Sequence, residues 1–167
     1  REKEFLEKIN IKTSAFFPIL SKDGIDDCIK KISNYPLVIK TAKSGYDGKG
    51  QKTLKNEKDI YAAWSALGKV PCIIEQFINF QCEISVIAVR DINGKIECFE
   101  PIENIHKNHI LDTSTVPAAI TKTVASNAET IAKKIAQKLE YVGTMCVEFF
   151  VDKNQNVLVN EIAPRVH

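Results

Sequence analysis

A glycine-rich segment, Gly45-Tyr46-Asp47-Gly48-Lys49-Gly50-Gln51, is the first part of the sequence with the residue types for chemistry. Its glycines permit positive φ angles and a close approach of the backbone to a ligand. Backbone N–H groups in such a loop can surround a phosphate, and Lys43 and Lys49 add positive charge. Lys40 ends the apolar run 36–40 just before the loop and would direct a compact cation at the same ligand.

The loop does not match the common nucleotide-binding motifs. No Gly-Lys-Ser/Thr follows, so it is not a Walker loop. The glycine spacing differs from the dinucleotide-binding fingerprint, and no helix pattern follows at once. A flexible hairpin tip is the alternative interpretation, and the loop alone leaves the choice open.

Two glutamates, Glu148 and Glu161, stand in strand-like apolar runs joined by the polar turn 152–156. Antiparallel pairing centred on Gln155, or just before it, would bring the two carboxylates close together. Acidic groups among apolar residues are costly unless they are paired or bind a metal. Together with Asn160 they offer the oxygen ligands that suit Mg²⁺ shared with phosphates. Surface-facing glutamates and metal-free acid–base catalysis are the alternatives.

Two further segments are weaker candidates. A strand at residues 75–78 could bind an adenine edge through backbone groups, and Glu83 could accept ribose hydroxyls, although acidic strand residues are usually solvated. His106 could donate a hydrogen bond to a phosphate, or it could be a structural histidine. Metal binding by His106, His109 and His167 lacks a suitably spaced carboxylate, and no nucleophile-elbow motif supports a Ser-His-Asp triad.

The composition is that of an ordinary globular domain. The 167 residues are 44% hydrophobic and 26% charged. The net charge of +2 argues against a nucleic-acid protein that depends on a strong basic patch. No apolar run approaches the roughly 18 residues of a membrane helix, and no signal-peptide pattern opens the chain. We therefore expect a cytoplasmic protein without membrane or nucleic-acid partners.

The five cysteines are odd in number and widely spaced, without a Cys-x-x-Cys pair. This pattern favours reduced, buried thiols over a zinc site or a redox pair. A catalytic Cys–His pair is the less favoured alternative.

Hydrophobic periodicity predicts the elements that position these residues. Helices are predicted at residues 2–9, 25–32, 56–67 and 126–139. Strands or extended segments are predicted at residues 15–20, 36–40, 72–78, 83–90, 95–102, 144–151 and 157–162. Asn93-Gly94 predicts a hairpin, and Gly68 predicts a left-handed helix end. Helices mixed with antiparallel hairpins favour an α+β fold over a doubly wound parallel sheet.

Taken together, these segments resemble the ATP-grasp superfamily, and within it the ATP-dependent carboxylating enzymes of bacterial purine synthesis. The matching residues are, in chain order, Lys40, 45–51, 75–80, 83–85, 101–106, 141–143 and 160–167. The Tyr-Asp-Gly-Lys-Gly-Gln and Asn-Glu-Ile-Ala-Pro-Arg segments are specific in combination. The sequence departs from the family at Ser44 and His109, where glycines are usual.

The resemblance implies an ATP-grasp fold, in which a small α/β lid closes over a larger, mixed and mostly antiparallel lobe with ATP between them. It implies a lead-in helix and strand at residues 1–20, the lid at 21–77 and the larger lobe at 78–167. The family also has an N-terminal domain and a C-terminal tail. We therefore expect this chain to be a piece of a longer, homodimeric enzyme.

The resemblance also implies roles for individual residues. Lys40 would contact the phosphates and Glu83 the ribose, and His106 would lie near the nucleotide. The mobile loop over the phosphates would comprise Gly45, Tyr46, Asp47, Gly48, Lys49, Gly50 and Gln51. The adenine would be held by Glu75, Gln76, Phe77 and Ile78.

The metal and the carboxylation substrates have implied positions as well. Glu148 and Glu161 would carry Mg²⁺, with Asn160 beside them. Asp47 and Arg165 would face the substrates and act with Lys40 in catalysis.

The implied reaction is the ATP- and bicarbonate-dependent carboxylation of 5-aminoimidazole ribonucleotide on its exocyclic amine, through carboxyphosphate. Another ATP-grasp ligase, activating a different carboxylate, is one alternative. A non-catalytic ATP-binding module is the other.

Overall fold

The computed structural model describes residues 2–32, 34–43 and 50–166. It divides into two compact units. The first comprises Arg1–Thr13, Ile78–Lys107 and Leu111–His167, and the second comprises Ser14–Phe77 and Asn108–Ile110. Within the described ranges, no helix combines the length and the apolar character needed to cross a membrane. The lid and lobe boundaries implied by the resemblance stay a prediction.

The described residues form helices and strands in mixed order. The helices are α1 (Glu2–Lys8), α2 (Lys22–Lys31), α3 (Asp59–Ala66) and α4 (Lys122–Lys138). The strands are β1 (Phe16–Ile19), β2 (Leu37–Thr41), β3 (Gln51–Leu54), β4 (Cys72–Gln76), β5 (Phe80–Arg90), β6 (Ile96–Cys98), β7 (Ile102–Lys107), β8 (Ile110–Thr115), β9 (Gly143–Asp152) and β10 (Val157–Ala163). This confirms the predicted α+β class.

The second unit is built on an antiparallel sheet with the strand order β1-β4-β2-β3. Alternate strand residues such as Ile39 and Ile74 are fully buried, together with Ile25 of α2 and Ile60 of α3. The helices therefore cover one face of the sheet. The opposite face carries Lys40.

The first unit is built on a larger sheet with the order β10-β9-β5-β7-β8, and β6 pairs with β5. Ile84 of β5, Val147 and Phe149 of β9, and Ile135 of α4 belong to one buried apolar cluster. Helix α4 begins after Thr121, whose side chain accepts a hydrogen bond from Val124 N. One face of this sheet therefore packs on α4, and the other carries the predicted acidic residues.

The predicted strand 95–102 is wrong, because β6 ends at Cys98 and β7 begins at Ile102. Pro101 has no N–H for the ladder, which favours a break there. The hairpin of β7 and β8 was not predicted beyond residue 102. Asn108 and His109 make its turn with φ of 53° and 65°, so the turn forms without the family's usual glycine.

Three helix starts also differ from the predictions, and α2 begins at Lys22 instead of residue 25. Helix α4 begins at Lys122 instead of residue 126, and α3 begins at Asp59 instead of following Asn56 directly. Asn56 Oδ1 accepts a hydrogen bond from Lys58 N, so this side chain stabilises a turn before the helix. The hairpin turn at Gly94 (φ 88°) and the left-handed helix end at Gly68 (φ 84°) are confirmed.

Cys28, Cys72, Cys82 and Cys98 are free thiols, as predicted. Cys28, Cys72 and Cys146 are each buried, whereas Cys82 and Cys98 are half-buried. Burial raises the pKa of the thiols of Cys28, Cys72, Cys82 and Cys98. These thiols are therefore poor nucleophiles near neutral pH.

Candidate active site

The predicted acidic residues of the first unit share one face of its sheet. The alternation that buries Ile84 and Phe149 against α4 directs Glu83, Ser85 and Glu148 to the opposite face. Ser85 pairs with Glu148, which in turn pairs with Glu161, so the three side chains form a row across β5, β9 and β10. Side chains paired in this way have Cβ atoms about 5 Å apart.

The Glu148–Glu161 pair depends on a β-bulge in β10. Val159 pairs with Phe149, and an unshifted ladder would place Asn160 opposite Glu148. The register shifts between Val159 and Glu161, so Glu161 lies opposite Glu148 instead. The predicted proximity of the two glutamates is confirmed, whereas their role as metal ligands stays a prediction.

These residues fit Mg²⁺ by the chemistry of their donor atoms. Asn160 Oδ1 is buried and, among the described residues, has no hydrogen-bond partner. Glu148 is half-buried and Glu161 is exposed, so the donors include both shielded and accessible oxygens. The described part of the chain has no cluster of three or more His, Cys, Asp or Glu residues suited to a metal. Mg²⁺ needs no such cluster, because it binds through one or two carboxylates plus substrate phosphates and waters.

A polar network lies on the same face, beside the carboxylate row. His106 Nδ1 and Glu83 Oε2 are 2.8 Å apart. Asn104 Nδ2 donates to Ser85 Oγ at 3.0 Å, and Ser114 Oγ donates to Asn104 Oδ1 at 2.8 Å. The structure therefore brings Glu83 and His106 together, and the other two hydrogen bonds orient the side chains of Ser85, Asn104 and Ser114.

Sequence reasoning did not single out Ser85, Asn104 or Phe150 as site residues. Phe150 pairs with Glu83 and stacks on Phe80, with ring centroids 4.8 Å apart. The strand alternation that includes Glu83 and Glu148 could have identified Ser85 and Phe150. Asn104 needed the register of β7, which no local pattern gives.

In the second unit, Lys40 is held by a buried carboxylate. Lys40 Nζ lies 3.3 Å from Glu75 Oε2, and Ser14 Oγ donates to the same oxygen at 3.1 Å. The Glu75 side chain is 6% exposed and that of Lys40 is 29% exposed. The ammonium therefore has a fixed anionic partner and keeps access to solvent. Contact of Lys40 with phosphate stays a prediction.

The end of β4 is the predicted adenine segment. Gln76 N donates to Ala15 O at 2.8 Å, and Phe77 N donates to Pro36 O at 3.4 Å. These two N–H groups are thus engaged within the unit. Adenine contacts here would involve carbonyl oxygens or the N–H of Ile78, and this assignment stays a prediction.

The glycine-rich loop is described only at its end. Gly45, Tyr46, Asp47, Gly48 and Lys49 lie outside the described residues. Gly50 O accepts from Thr41 N at 2.8 Å, and Gln51 Nε2 lies 3.1 Å from His109 Nδ1. Strand β3 thus begins where the predicted loop ends.

Arg165, a predicted substrate-facing residue, is exposed in the first unit. Its Nη1 donates to Val166 O at 2.8 Å. The predicted substrate role of Arg165 is not tested by this contact.

A family model described as the ATP-grasp domain matches residues 4–167, and the chain belongs to this family. It is 41% identical over 168 residues to N5-carboxyaminoimidazole ribonucleotide synthase of Brucella melitensis, covering 99% of this chain and 46% of that protein. An ADP complex of N5-carboxyaminoimidazole ribonucleotide synthetase matches with a TM-score of 0.92 and 38% identity, over 99% of this chain and 44% of that one. The Staphylococcus aureus N5-carboxyaminoimidazole synthetase with ADP matches at 0.90 and 39%, with the same coverage. The chain thus spans less than half the length of these relatives.

Proposed function

We propose that the full-length protein carboxylates 5-aminoimidazole ribonucleotide on its exocyclic amine, using ATP and bicarbonate. The products are 5-(carboxyamino)imidazole ribonucleotide, ADP and phosphate. The observation that carries the proposal is the row of Glu148 and Glu161 beside the buried Asn160 Oδ1, in a chain 41% identical to the Brucella enzyme. A homodimeric full-length protein stays part of the same prediction.

The reaction proceeds in two displacements. An oxygen of bicarbonate attacks the γ-phosphorus of ATP, the bond to the bridging oxygen breaks, and ADP leaves. The exocyclic amine then attacks the carboxyl carbon of carboxyphosphate, phosphate leaves with the bonding electron pair, and the amine loses a proton. Such chemistry needs positioning and charge neutralisation more than a protein nucleophile.

The residues of the first unit would bind the metal and the ribose. Glu148, Glu161 and Asn160 would hold Mg²⁺, which when bound neutralises phosphate charge. Glu83 would accept ribose hydroxyls, with its carboxylate oriented by His106 at 2.8 Å. The row across β5, β9 and β10 supports these roles because it places the acceptors on one rigid sheet face.

The residues of the second unit would act on the phosphates. Lys40, oriented by Glu75 at 3.3 Å, would donate to phosphate oxygens as negative charge develops on them. The loop at residues 45–51 would exclude the water that hydrolyses carboxyphosphate. Asp47 and, from the first unit, Arg165 would face bicarbonate and the ribonucleotide.

The test is ADP production by the full-length protein with and without 5-aminoimidazole ribonucleotide and bicarbonate. We expect ADP formation to require both substrates and to fall by about 100-fold or more in Glu161→Gln. Glu97→Gln is the matched control, because Glu97 is 69% exposed and pairs only with surface Lys95 in the described contacts. Full activity of Glu161→Gln would refute the metal assignment. ADP release that needs a different acceptor would identify another ATP-grasp ligase, and ATP binding without stimulated turnover would identify a binding module.

A further inference from the structure

Lys3 is a buried lysine that the mechanism above does not use. The residue is 5% exposed, although it lies on the short helix α1. Its Nζ donates to Thr13 Oγ1 at 2.8 Å and to Asn160 O at 3.4 Å. Burying an ammonium group is costly unless it is well bonded, so its position calls for a specific role.

The contacts of Lys3 belong to a set that borders the bulge in β10. Thr13 Oγ1 donates to Val159 O at 2.7 Å, and Val159 N donates to Lys12 O at 3.0 Å. Beyond the bulge, Ile162 N donates to Glu2 Oε1 at 3.2 Å. The segment Glu2–Thr13 therefore bonds β10 before, at and after Asn160.

This bulge decides which side chains face the metal position. Because side chains alternate along a strand, a ladder without the register shift would place Asn160 opposite Glu148 and turn Glu161 to the other face. The bulge instead keeps Glu161 in the row with Glu148. It also leaves Asn160 Oδ1 buried and without a partner in the described part of the chain.

We infer that Lys3 is a positioning residue that holds the β10 bulge and thereby aligns Glu161 and Asn160 for a divalent cation. This inference rests on the proposed function for the identity of the site. Lys3 acts through its hydrogen bonds to Asn160 O and Thr13 Oγ1. Substitution of a residue that orients metal ligands typically weakens metal affinity by about 10- to 100-fold.

The test compares Lys3→Met and Lys3→Arg with the control Lys8→Met in the full-length protein. Lys8 is exposed in the last turn of the same helix. Mn²⁺ is the probe, and its dissociation constant is measured by electron paramagnetic resonance, which needs no turnover. We expect Lys3→Met to weaken Mn²⁺ binding about tenfold or more. Lys3→Arg should recover part of the affinity, and Lys8→Met should leave it unchanged.

A second measurement separates alignment of the ligands from general loss of structure. Lys3→Met should speed amide exchange at residues 157–163 while α4 keeps its protection. Thr13→Val, which conserves volume and removes the hydroxyl, is the second variant if Lys3→Met does not fold, and it should weaken Mn²⁺ binding in the same direction.

Wild-type Mn²⁺ affinity in both Lys3→Met and Thr13→Val would overturn the inference. Failure of the proposed function would look different: the wild-type protein would form no ADP in response to 5-aminoimidazole ribonucleotide. The Mn²⁺ comparison between wild type and variants would still decide the role of Lys3 in that case.

Discussion

Replacing Lys40 by Met should affect stability and nucleotide chemistry separately, because Lys40 pairs with a buried carboxylate. Glu75 would keep Ser14 Oγ at 3.1 Å but would lose the ammonium group of Lys40. Breaking a buried ion pair costs about 3–5 kcal/mol. Because the Lys40 side chain is 29% exposed, solvent screening reduces the expected loss to about 2 kcal/mol.

Adding Glu75→Gln to Lys40→Met should restore stability without restoring activity. The second change removes the carboxylate charge that faced Lys40 and leaves an amide that can still bond to Ser14. The double variant should therefore regain all but about 0.5 kcal/mol of the loss. ADP formation should stay about 100-fold low in both variants, because each lacks the cation assigned to the phosphates.

The assay is hydrogen exchange of peptides covering β2 and β4 in the full-length protein, combined with ADP production. A loss of about 2 kcal/mol makes local opening about 30-fold more frequent, since about 1.4 kcal/mol corresponds to a factor of ten. Lys52→Met is the control, because Lys52 is exposed on the neighbouring strand β3. Unchanged exchange in Lys40→Met would refute the structural role of the ion pair. Recovery of ADP formation in the double variant would refute the role of Lys40 in the reaction.

Two pH dependences follow from the described ionisable groups. Burial raises the pKa of the Cys28 thiol from 9.0 to about 11, so the second unit should lose up to about 3 kcal/mol of unfolding free energy as pH rises through 9–11. Urea unfolding of Cys28→Ala should show a smaller loss, and an identical loss would contradict the assignment. Hydrogen bonds from Asn156 lower the pKa of the Asp152 carboxyl, so its support of the β9–β10 turn is present above the unfolded pKa and disappears as pH falls through the folded one. The protection of the Asn154 amide, measured relative to the intrinsic exchange rate at each pH, should therefore fall in acid in the wild type and depend less on pH in Asp152→Asn; equal pH dependence would count against this role.

The fold could be predicted where hydrophobic periodicity is strong. Prediction fails where contacts between residues distant in sequence decide the local structure. The apolar runs of β2, β4 and β9 match their predicted strands closely. Strand β8 was missed because Ile110–Thr115 is exposed throughout and shows no alternation of apolar and polar residues. The break at Pro101 was missed because apolar residues lie on both sides of it, and the apolar pattern continues to Ile102.

The residue types of the site could be predicted from the sequence, but the contacts that position these residues could not. The polar turn 152–156 predicted that the strands of Glu148 and Glu161 pair, but the direct pairing of the two glutamates depends on the bulge. The bulge at Asn160 was not predictable, because it depends on bonds from Glu2–Thr13 that are distant in sequence. Lys3 resembles any surface lysine of an amphipathic helix, and only its burial in the folded chain shows otherwise.

A crystal structure of the full-length protein with Mg²⁺ and a non-hydrolysable ATP analogue tests the account most directly. We predict carboxylate oxygens of Glu148 and Glu161 about 2.1 Å from Mg²⁺. We also predict Lys40 Nζ about 2.8 Å from a phosphate oxygen of the same nucleotide. A nucleotide bound without these glutamates, or out of reach of Lys40, would contradict the account.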